Sequence, residues 1–370
     1  MGNKKILIIT SEFPPNVGGI GNHAYSIAKY LCYEGYAVSV LADLIDIDHV
    51  QLEQFKKENP FTLYAINRSR FLPFTYLARI IKSIRLAASQ DVIMCSSKFS
   101  LWLIESMKPF WSKKKYIAVV HGSELLLPNK KAKQLTDHSL KQYQSIIAVS
   151  GFTKSLLQES LQAKTIVIPN GINNKEFGIA HASNKTFTTN SSVNIITLGN
   201  VTERKGQENV IRALPEMIKL FPHIHYHIVG KPTMKDAFEK IIASLQVQAY
   251  VTFHGIVSRE ELVRLLNEAD VKLMLSNNTS YGDVEGFGIA VLEANALGKP
   301  AIGSNNNGIK DAIDDHSTGR LVDAKNATEI ALALKDILDH YTNYSINAKQ
   351  WALQHDWTSL IKQYSEVIEQ

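Results

Sequence analysis

The sequence predicts two α/β domains, each built around a parallel β-sheet. Short apolar runs rich in Ile and Val alternate with amphipathic stretches of helix length, which is the pattern of repeated strand–helix units. The runs fall into two series, and each is long enough to supply one sheet, so we expect two Rossmann-like domains. The predicted strands lie at 6–9, 37–41, 92–94, 117–120, 146–149 and 165–168, and then at 193–198, 225–229, 250–253, 271–275, 301–302 and 319–322.

The composition is that of a soluble globular protein. The 370 residues are 45% hydrophobic and 20% charged, which excludes disordered and fibrous classes and allows substantial cores. Two cysteines cannot build a disulfide framework. The first ten residues hold only four consecutive apolar residues, and no later stretch approaches a membrane-spanning length. We expect a cytoplasmic protein.

A linker is predicted between the two series of strands. Residues 177–192 are polar, small and without periodicity. We therefore assign the first domain to 1–185 and the second to 186–350. The last predicted helix, 358–368, has no strand after it to pair with, so it is free to pack elsewhere, including back on the first domain.

Charge is distributed unevenly along the chain. Residues 1–185 carry 23 basic and 13 acidic residues, a net +10, whereas residues 186–370 carry 17 and 22, a net −5. A nucleic-acid-binding protein would need a more continuous basic stripe, with aromatic or recognition-helix signatures that the sequence lacks. An anionic acceptor or an anionic membrane surface suits the first half better.

One stretch of the first half predicts an interfacial helix. Residues 67–90 combine many aliphatic and aromatic residues with five basic residues and no acid, and Lys113, Lys114 and Lys115 follow Trp111. A core helix with a solvated basic face fits the same composition. The five basic residues are Arg68, Arg70, Arg79, Lys82 and Arg85.

A glycine-rich loop follows the first predicted strand. Gly18, Gly19 and Gly21 would let a ligand approach the backbone, and the helix that opens near Asn22 would present free N–H groups to a phosphate. Residues 19–24 also satisfy the dinucleotide pattern G-x-G-x-x-G/A. With Asp43 as the ribose-binding acid, they leave a dinucleotide-dependent oxidoreductase open as an alternative.

Two spaced glutamates give the strongest signal in the second half. Glu285 precedes a turn formed by Gly286, Phe287 and Gly288, and Glu293 follows about one turn inside the next helix. The turn could offer backbone amides to a diphosphate while the two acids hold hydroxyls beside it. A glutamate favoured by the helix dipole together with a solvent-facing glutamate explains the same pattern.

Taken in order, these motifs resemble the retaining glycosyltransferases of family 4, also called glycosyltransferase group 1, which have the GT-B fold. The bacterial mannosyltransferase-like branch is nearest, and the resemblance covers essentially the whole chain. The motifs are GGIG at 18–21, HGSE at 121–124, PNGIN at 169–173, RKG at 204–206, FHG at 253–255 and DVEGFGIAVLEA at 283–294.

The resemblance implies a role for each matching position. Gly19 and Gly21 would face the donor diphosphate, Lys205 would pair with its phosphates, and the backbone of Ile256 would meet the nucleotide base. Glu293 would hold the ribose, Glu285 would contact the transferred sugar, and His121 would lie near the reacting sugar. The remaining donor-binding positions are the turn residues Gly286, Phe287 and Gly288 and the amide donors Ile289 and Ala290.

Two departures from the family pattern affect the donor site. The family usually has arginine where this chain has Asn200, which removes a bidentate phosphate ligand, and we assign that role to Arg204 as a hypothesis. The usual Gly-Gly-Ile-Pro-Glu is replaced by NGIKD at 307–311.

The resemblance therefore implies a metal-independent, retaining hexosyltransferase with no cofactor. Its two domains would face each other across a cleft, with the donor, a GDP- or UDP-sugar, bound by the C-terminal domain. The N-terminal domain would bind a glycan or lipid-linked acceptor, in bacterial surface polysaccharide synthesis, at the inner face of the cell membrane. A non-catalytic sugar-nucleotide-binding subunit is a further alternative.

Overall fold

The computed structural model describes residues 4–15, 18–44, 48–67, 72–177, 185–279 and 282–370. The strands are β1 Lys5–Thr10, β2 Ala37–Leu44, β3 Thr62–Asn67, β4 Val92–Ser96, β5 Lys115–Val120, β6 Ser145–Ala148, β7 Thr165–Val167, β8 Val193–Leu198, β9 Ile224–Val229, β10 Val251–Gly255, β11 Val271–Met274, β12 Ala301–Ser304 and β13 Gly319–Val322.

The helices lie between and after these strands. They are α1 Gly19–Tyr33, α2 His49–Glu58, α3 Leu72–Ala87, α4 Lys98–Trp102, α5 Ile104–Met107, α6 Lys130–Gln142, α7 Gly151–Ser155, α8 Glu159–Gln162, α9 Gln207–Leu220, α10 Lys235–Ser244, α11 Arg259–Glu268, α12 Ile289–Ala296, α13 Ala327–Asp339, α14 Tyr341–Gln354 and α15 Trp357–Glu369.

Within the described residues, the strands form two parallel sheets. Their orders are β3-β2-β1-β4-β5-β6-β7 and β10-β9-β8-β11-β12-β13. In each sheet the order reverses beside the first strand, between β1 and β4 and between β8 and β11, as in the Rossmann fold. The prediction of two Rossmann-like, parallel-sheet domains is confirmed.

Hydrophobic burial on both faces of each sheet explains why these segments form strands. Ile6, Leu7, Ile8 and Ile9 of β1 are all essentially inaccessible to solvent, as expected for a central parallel strand covered by helices on both sides. Each large aliphatic side chain buried in this way contributes about 1.5–3 kcal/mol.

Strand β3 was not predicted from the sequence. It pairs only with β2, at the edge of the first sheet, and Tyr64 in its middle is 38% exposed. Its sequence, TLYAIN, has four apolar or aromatic residues between two polar ones, and periodicity alone cannot distinguish so short a run in a strand from one in a helix.

The chain divides into two compact units, and the division differs from the predicted one. The first unit contains Met1–Asn170 and Trp357–Gln370, and the second contains Gly171–Asp356. The sequence places the boundary later, at 185/186, because the polar segment lies there. The segment that follows Asn170 is already bound within the second unit: the Ile172 N–H donates to the His355 carbonyl (3.0 Å), and the Asn174 side chain donates to Asp356 (2.9 Å).

The last helix belongs to the first unit. Helix α15 packs against α1 with an apolar face that includes Trp357, Ile361 and Tyr364. The first unit is therefore discontinuous in sequence, and its structure includes residues from both ends of the chain.

One residue expected at a basic surface is instead internal. Arg79 of α3 donates through Nε to the Asp43 carboxylate (2.7 Å), and its guanidinium stacks 4.6 Å from the centroid of the Phe99 ring. The two charged side chains are only 11% and 6% exposed, and burial lowers the pKa of Arg79 to about 10. Arg79 is thus not available to a membrane, and the prediction that it faces one was wrong.

We predict that Asp43→Asn destabilises the first unit by about 3–5 kcal/mol, because it leaves the buried Arg79 guanidinium without its counter-charge. Urea unfolding of the full chain measures this. The matched control is Glu216→Gln, which removes an exposed ion pair with Lys219 and is expected to cost less than about 1 kcal/mol. Equal costs for the two variants would contradict the assignment of a structural ion pair.

Candidate active site

The predicted donor-binding residues of the second unit lie beyond the carboxyl ends of its strands. In an open parallel sheet, ligands bind beyond the carboxyl ends of the strands, at the point where the strand order reverses. Here that point lies between β8 and β11. The loop after β8 carries Arg204 and Lys205, and the chain after β11 leads to Glu285.

A close backbone contact holds these two loops together. Gly206 has φ +73°, and a Cβ at this position would lie 1.8 Å from the Leu275 carbonyl oxygen. The Asn277 N–H donates to the Arg204 carbonyl (2.8 Å). Only glycine allows helix α9 to begin this close to the chain that leaves β11.

Glu285 binds both cations of the preceding loop. Lys205 Nζ lies 2.8 Å from Glu285 Oε2, Arg204 donates to the same oxygen, and Arg204 Nε lies 3.0 Å from Asp283 Oδ2. Burial alone would raise the pKa of the Glu285 carboxyl, but Lys205 and Arg204 outweigh it and hold this pKa below its ordinary value. Glu285 is therefore ionised near neutral pH, and its carboxylate holds the side chains of Arg204 and Lys205 next to each other.

The turn after Glu285 ends at the start of α12. Gly288 has φ +99° and directly precedes Ile289, the first residue of the helix. The N–H groups of Ile289 and Ala290 lie in the first turn of the helix, where backbone donors have no partner within the helix. The Gly308 N–H donates to the Glu285 carbonyl (2.8 Å), and a Cβ on Gly308 would lie 2.0 Å from the Gly286 carbonyl oxygen.

Phe287 stabilises this turn by packing, and Asn307 stabilises it by hydrogen bonds. Phe287 is buried, with its ring 6.1 Å from that of His355. The Asn307 amide donates to the Ser276 carbonyl (3.0 Å), and its oxygen accepts from the Ile309 N–H (3.1 Å). Its amide also donates to the Ser304 hydroxyl (2.8 Å), so the departure from the family pattern at 307 adds side-chain hydrogen bonds that the usual glycine could not make.

Glu293 and Ile256 lie near the same edge of the sheet. Glu293 follows the first turn of α12, 3.5 Å from Arg259 Nη1, and burial raises the pKa of its carboxyl although Arg259 opposes the shift. Ile256 follows β10, and its side chain is 77% exposed. Asn200, where the family usually has arginine, is also exposed.

In the first unit, His121 lies at the carboxyl end of β5. Its backbone N–H donates to the Glu124 carboxylate, and Gly122 has φ +121° in the tight turn between them. The His121 Nε2 lies 2.9 Å from the Ser96 hydroxyl oxygen, at the end of the neighbouring strand β4. Burial lowers the pKa of His121 to about 4, so its ring is neutral at physiological pH.

Two of the predicted glycines in this unit differ in their surroundings. A Cβ on Gly21 would lie 3.0 Å from the Glu12 backbone, because the first turn of α1 packs on the chain that leaves β1. A Cβ on Gly19 would have no atom within 4 Å. Close packing therefore explains why position 21 is glycine. At position 19 no such contact exists, and the space beside the N-terminus of this 15-residue helix is open.

The structure contradicts the dinucleotide interpretation of the same loop. Asp43, the ribose-binding acid of that interpretation, is buried and paired with Arg79. Both of its carboxylate oxygens contact the Arg79 guanidinium, so Asp43 is already engaged and the oxidoreductase alternative is rejected.

Sequence reasoning missed two residues beside His121. His23 of α1 is 1% exposed, with its ring centroid 5.0 Å from that of His121, and Tyr364 of α15 lies 3.1 Å from His23 Nε2. The available signal is that His23 stands in the apolar stripe of α1, four and eight residues before Ile27 and Leu31. A polar residue at such a position needs a reason other than core formation.

Histidines and acidic residues outside this site form no metal centre in the part of the chain that the structure describes. Among the described residues, no cluster of three or more His, Cys, Asp or Glu is arranged to hold a metal ion. The alternating histidines of β9 bind other side chains instead: His225 contacts Thr252 (2.8 Å), and His227 contacts His254 (3.0 Å). None of the helices that the structure describes combines the length and the apolar composition that a membrane span requires.

Comparison with known families matches both units. The description "Glycosyltransferase Family 4" matches residues 17–176, and "Glycosyl transferases group 1" matches residues 179–351. The two matches together leave only short segments uncovered.

Individual relatives align over almost their full lengths. An uncharacterized glycosyltransferase of Methanocaldococcus jannaschii is 28% identical, over 97% of this chain and 96% of the relative. The GDP-mannose-dependent monoacylated alpha-(1-6)-phosphatidylinositol monomannoside mannosyltransferase of Corynebacterium glutamicum is 24% identical, over 91% and 89%.

Solved structures show the same fold. Anabaena HepE in complex with UDP and glucose superimposes with a TM-score of 0.78 at 17% identity, covering 99% of this chain and 100% of HepE. A glycosyltransferase from Rickettsia africae gives 0.78 at 21% identity, covering 100% and 98%. The chain therefore belongs to the family 4, group 1 glycosyltransferases, is related to their mannosyltransferase branch, and has the GT-B fold of two Rossmann-like domains.

Proposed function

We propose that this glycosyltransferase moves a hexose, with retention of configuration, from a GDP- or UDP-sugar to a glycan or lipid-linked acceptor. The second unit binds the donor and the first binds the acceptor. The observation that carries the proposal is the pairing of Arg204 and Lys205 on Glu285, directly before the N-terminus of α12.

The donor diphosphate would replace Glu285 as the partner of the two cations. A charge-assisted hydrogen bond contributes about 1.5–3 kcal/mol, and the N-terminus of α12 adds amide donors and a favourable dipole. Arg204 reaches the same carboxylate oxygen as Lys205, which supports its assignment as the substitute for the arginine absent at Asn200.

The two glutamates would bind different hydroxyl groups. Ionised Glu285 accepts hydrogen bonds from the transferred sugar, and Glu293 accepts them from the ribose. The base would be recognised by the backbone at Ile256, since its exposed side chain leaves that backbone next to solvent.

Retention follows if the acceptor hydroxyl attacks the anomeric carbon from the face that the diphosphate leaves. The departing diphosphate can then take the acceptor proton, so no strong protein base is required. This agrees with the chemistry of His121, because an imidazole with a pKa of about 4 is a weak base near neutral pH. Its role would be to orient the reacting sugar. Arg204, Lys205 and the helix N-termini supply the positive charge for departure of the diphosphate, so the proposal includes no metal.

The donor is best sought among GDP- and UDP-sugars. Several mannosyltransferase relatives are named as GDP-mannose-dependent, whereas the HepE structures contain UDP or UDP-glucose. The test is nucleotide release from GDP-mannose, UDP-glucose and related donors, with and without a crude glycolipid acceptor fraction. A folded protein that binds these donors but never cleaves them would contradict the proposal and favour a non-catalytic binding subunit.

We further propose that α3 of the first unit binds an anionic membrane surface, at the inner face of the cell membrane. Phe74, Leu77 and Ile81 lie on one face of the helix at spacings of three and four residues, and they are 64%, 53% and 40% exposed. Arg85 continues this face, and exposed Phe110 precedes the basic run at 113–115. An exposed apolar stripe with basic neighbours is typical of helices that lie in a membrane interface.

We predict that Lys205→Ala raises the donor dissociation constant or lowers kcat/KM by about 10- to 100-fold, since a charge-assisted phosphate contact is lost. Arg204→Ala should have an effect of similar size. Isothermal calorimetry with GDP and UDP and steady-state kinetics measure both. The matched control is Lys219→Ala, a lysine of α9 in an exposed ion pair. Unchanged affinity and turnover in either variant would refute that residue's assignment.

We predict opposite kinetic signatures for the two glutamates. Glu293→Gln should mainly weaken nucleotide binding, because the ribose contact exists before and during the reaction, whereas Glu285→Gln should mainly lower kcat. Glu261→Gln, a surface glutamate paired with Arg264, is the control. Donor affinity and kcat measured separately would show the reverse pattern if the two roles were exchanged.

We predict that the triple variant Phe74→Ser, Leu77→Ser, Ile81→Ser loses binding to phosphatidylglycerol vesicles, measured by co-sedimentation, while donor affinity is unchanged. Replacing Arg85, Lys113 and Lys114 by Ser should weaken binding and reduce its salt dependence, because each basic residue contributes about 1 kcal/mol at such a surface. Leu353→Ser, at a 55% exposed leucine of α14, is the control. Equal binding to neutral vesicles would exclude the electrostatic part of the proposal.

A further inference from the structure

The surroundings of His121 in the first unit contain more polar groups than the proposed function uses. His121 lies between the Ser96 hydroxyl, which is 2.9 Å from its Nε2, and the ring of His23. The two imidazole planes meet at 89°, edge to face. Beyond His23, the Tyr364 hydroxyl lies 3.1 Å from His23 Nε2.

We propose that His23 and Tyr364 are positioning residues that fix the orientation of the His121 ring, so that α15 is part of the catalytic apparatus of the first unit. This inference rests on the role of His121 in the proposed function. It goes further by connecting that role to a residue more than 240 positions away in the sequence, on a helix that the donor-binding motifs do not include.

The first argument is that a histidine is a costly choice at position 23. The residue lies in the apolar stripe of α1 and is buried, and its Nδ1 has no hydrogen-bond partner. A buried polar atom without a partner destabilises a protein, and an aliphatic or aromatic residue would fill the space without that penalty. Packing alone therefore does not explain why the chain has histidine here.

The second argument is that His23 has a fixed orientation of its own. Tyr364 binds one edge of its ring, and Trp357 packs 5.5 Å from its centroid. A ring held from these two sides presents a defined surface to His121. Burial, with a smaller contribution from His121, holds the pKa of His23 well below its ordinary value, so the two adjacent rings are both neutral and do not repel each other.

The third argument is that His121 has few other constraints. Its backbone N–H donates to the Glu124 carboxylate, and among the described residues Ser96 is the hydrogen-bond partner of its ring. A histidine ring turns about its Cα–Cβ and Cβ–Cγ bonds, and one hydrogen bond at Nε2 limits this turning without setting the plane of the ring. The edge-to-face contact with His23 sets that plane, which matters because a misplacement of about 1 Å can slow a reaction about 100-fold.

The variants Tyr364→Phe and His23→Leu in the full chain test this inference. The first removes the hydroxyl that binds His23, and the second removes the ring that packs against His121 while keeping a side chain of similar size. We expect kcat for GDP-mannose or UDP-glucose cleavage, whichever donor is active, to fall about tenfold, while the donor KM changes by less than twofold. The Cε1–H NMR resonance of His121, in protein labelled at histidine, should shift in both variants.

The matched control is Tyr344→Phe in the second unit. Tyr344 is a buried tyrosine whose hydroxyl binds Asp336 at 2.6 Å, so this variant also loses a buried hydroxyl contact. It should lower thermal stability about as much as Tyr364→Phe while leaving kcat and the His121 resonance unchanged. If Tyr364→Phe behaves like this control, the inference is overturned.

A double variant separates this inference from the proposed function. If His121→Ala has full activity, the proposed role of His121 is wrong, whatever the NMR result. If His121→Ala is impaired, Tyr364→Phe should cause no further loss of kcat in that background, because its effect passes through His121. A further tenfold loss there, or an unmoved His121 resonance in both single variants, would refute the positioning role.

Discussion

Both sheets are entirely parallel, and this constraint determines where the chemistry can occur. The carboxyl ends of parallel strands lie on the same side of the sheet, so the loops that follow them are close together within each unit. In the first unit these loops include the one with His121, and in the second they lead to Lys205, Glu285 and Glu293. Glycines with positive φ then let these loops approach within van der Waals contact, as Gly206 does against Leu275. The motifs that look scattered in the sequence are neighbours for this reason.

Within the second unit, Glu285 occupies the position that the proposed function assigns to the donor diphosphate, as the partner of Arg204 and Lys205. It holds Arg204 and Lys205 where phosphate oxygens are proposed to bind, so the cations need little rearrangement when a donor arrives. Such preorganisation lowers the reorganisation that a charged transition state would otherwise require. In the proposed function, the same carboxylate would become available to the sugar once the cations release it, so the two proposed roles of Glu285 are coupled.

Periodicity and apolar runs predicted almost every strand, because a buried parallel strand has a sequence signal that is local. The failures are non-local. Strand β3 is an edge strand with an exposed Tyr64, and the internal pairing of Arg79 in α3 depends on Asp43 of β2. The contact of His23 is with Tyr364, from the far end of the chain. The candidate site residues were predicted from the resemblance of motifs. Such a resemblance gives the residue types and their order along the chain, but it does not show which cation binds which carboxylate.

The membership of α15 in the first unit has a consequence for how the protein is made. Residues 1–170 emerge from the ribosome before the helix that covers His23 has been synthesised, and the whole second unit emerges in between. Until then, the apolar face of α1 against which Trp357 and Tyr364 pack is uncovered. Completion of the first unit is thus a late event in biosynthesis, and the surroundings of His121 are assembled only after the second unit has been synthesised.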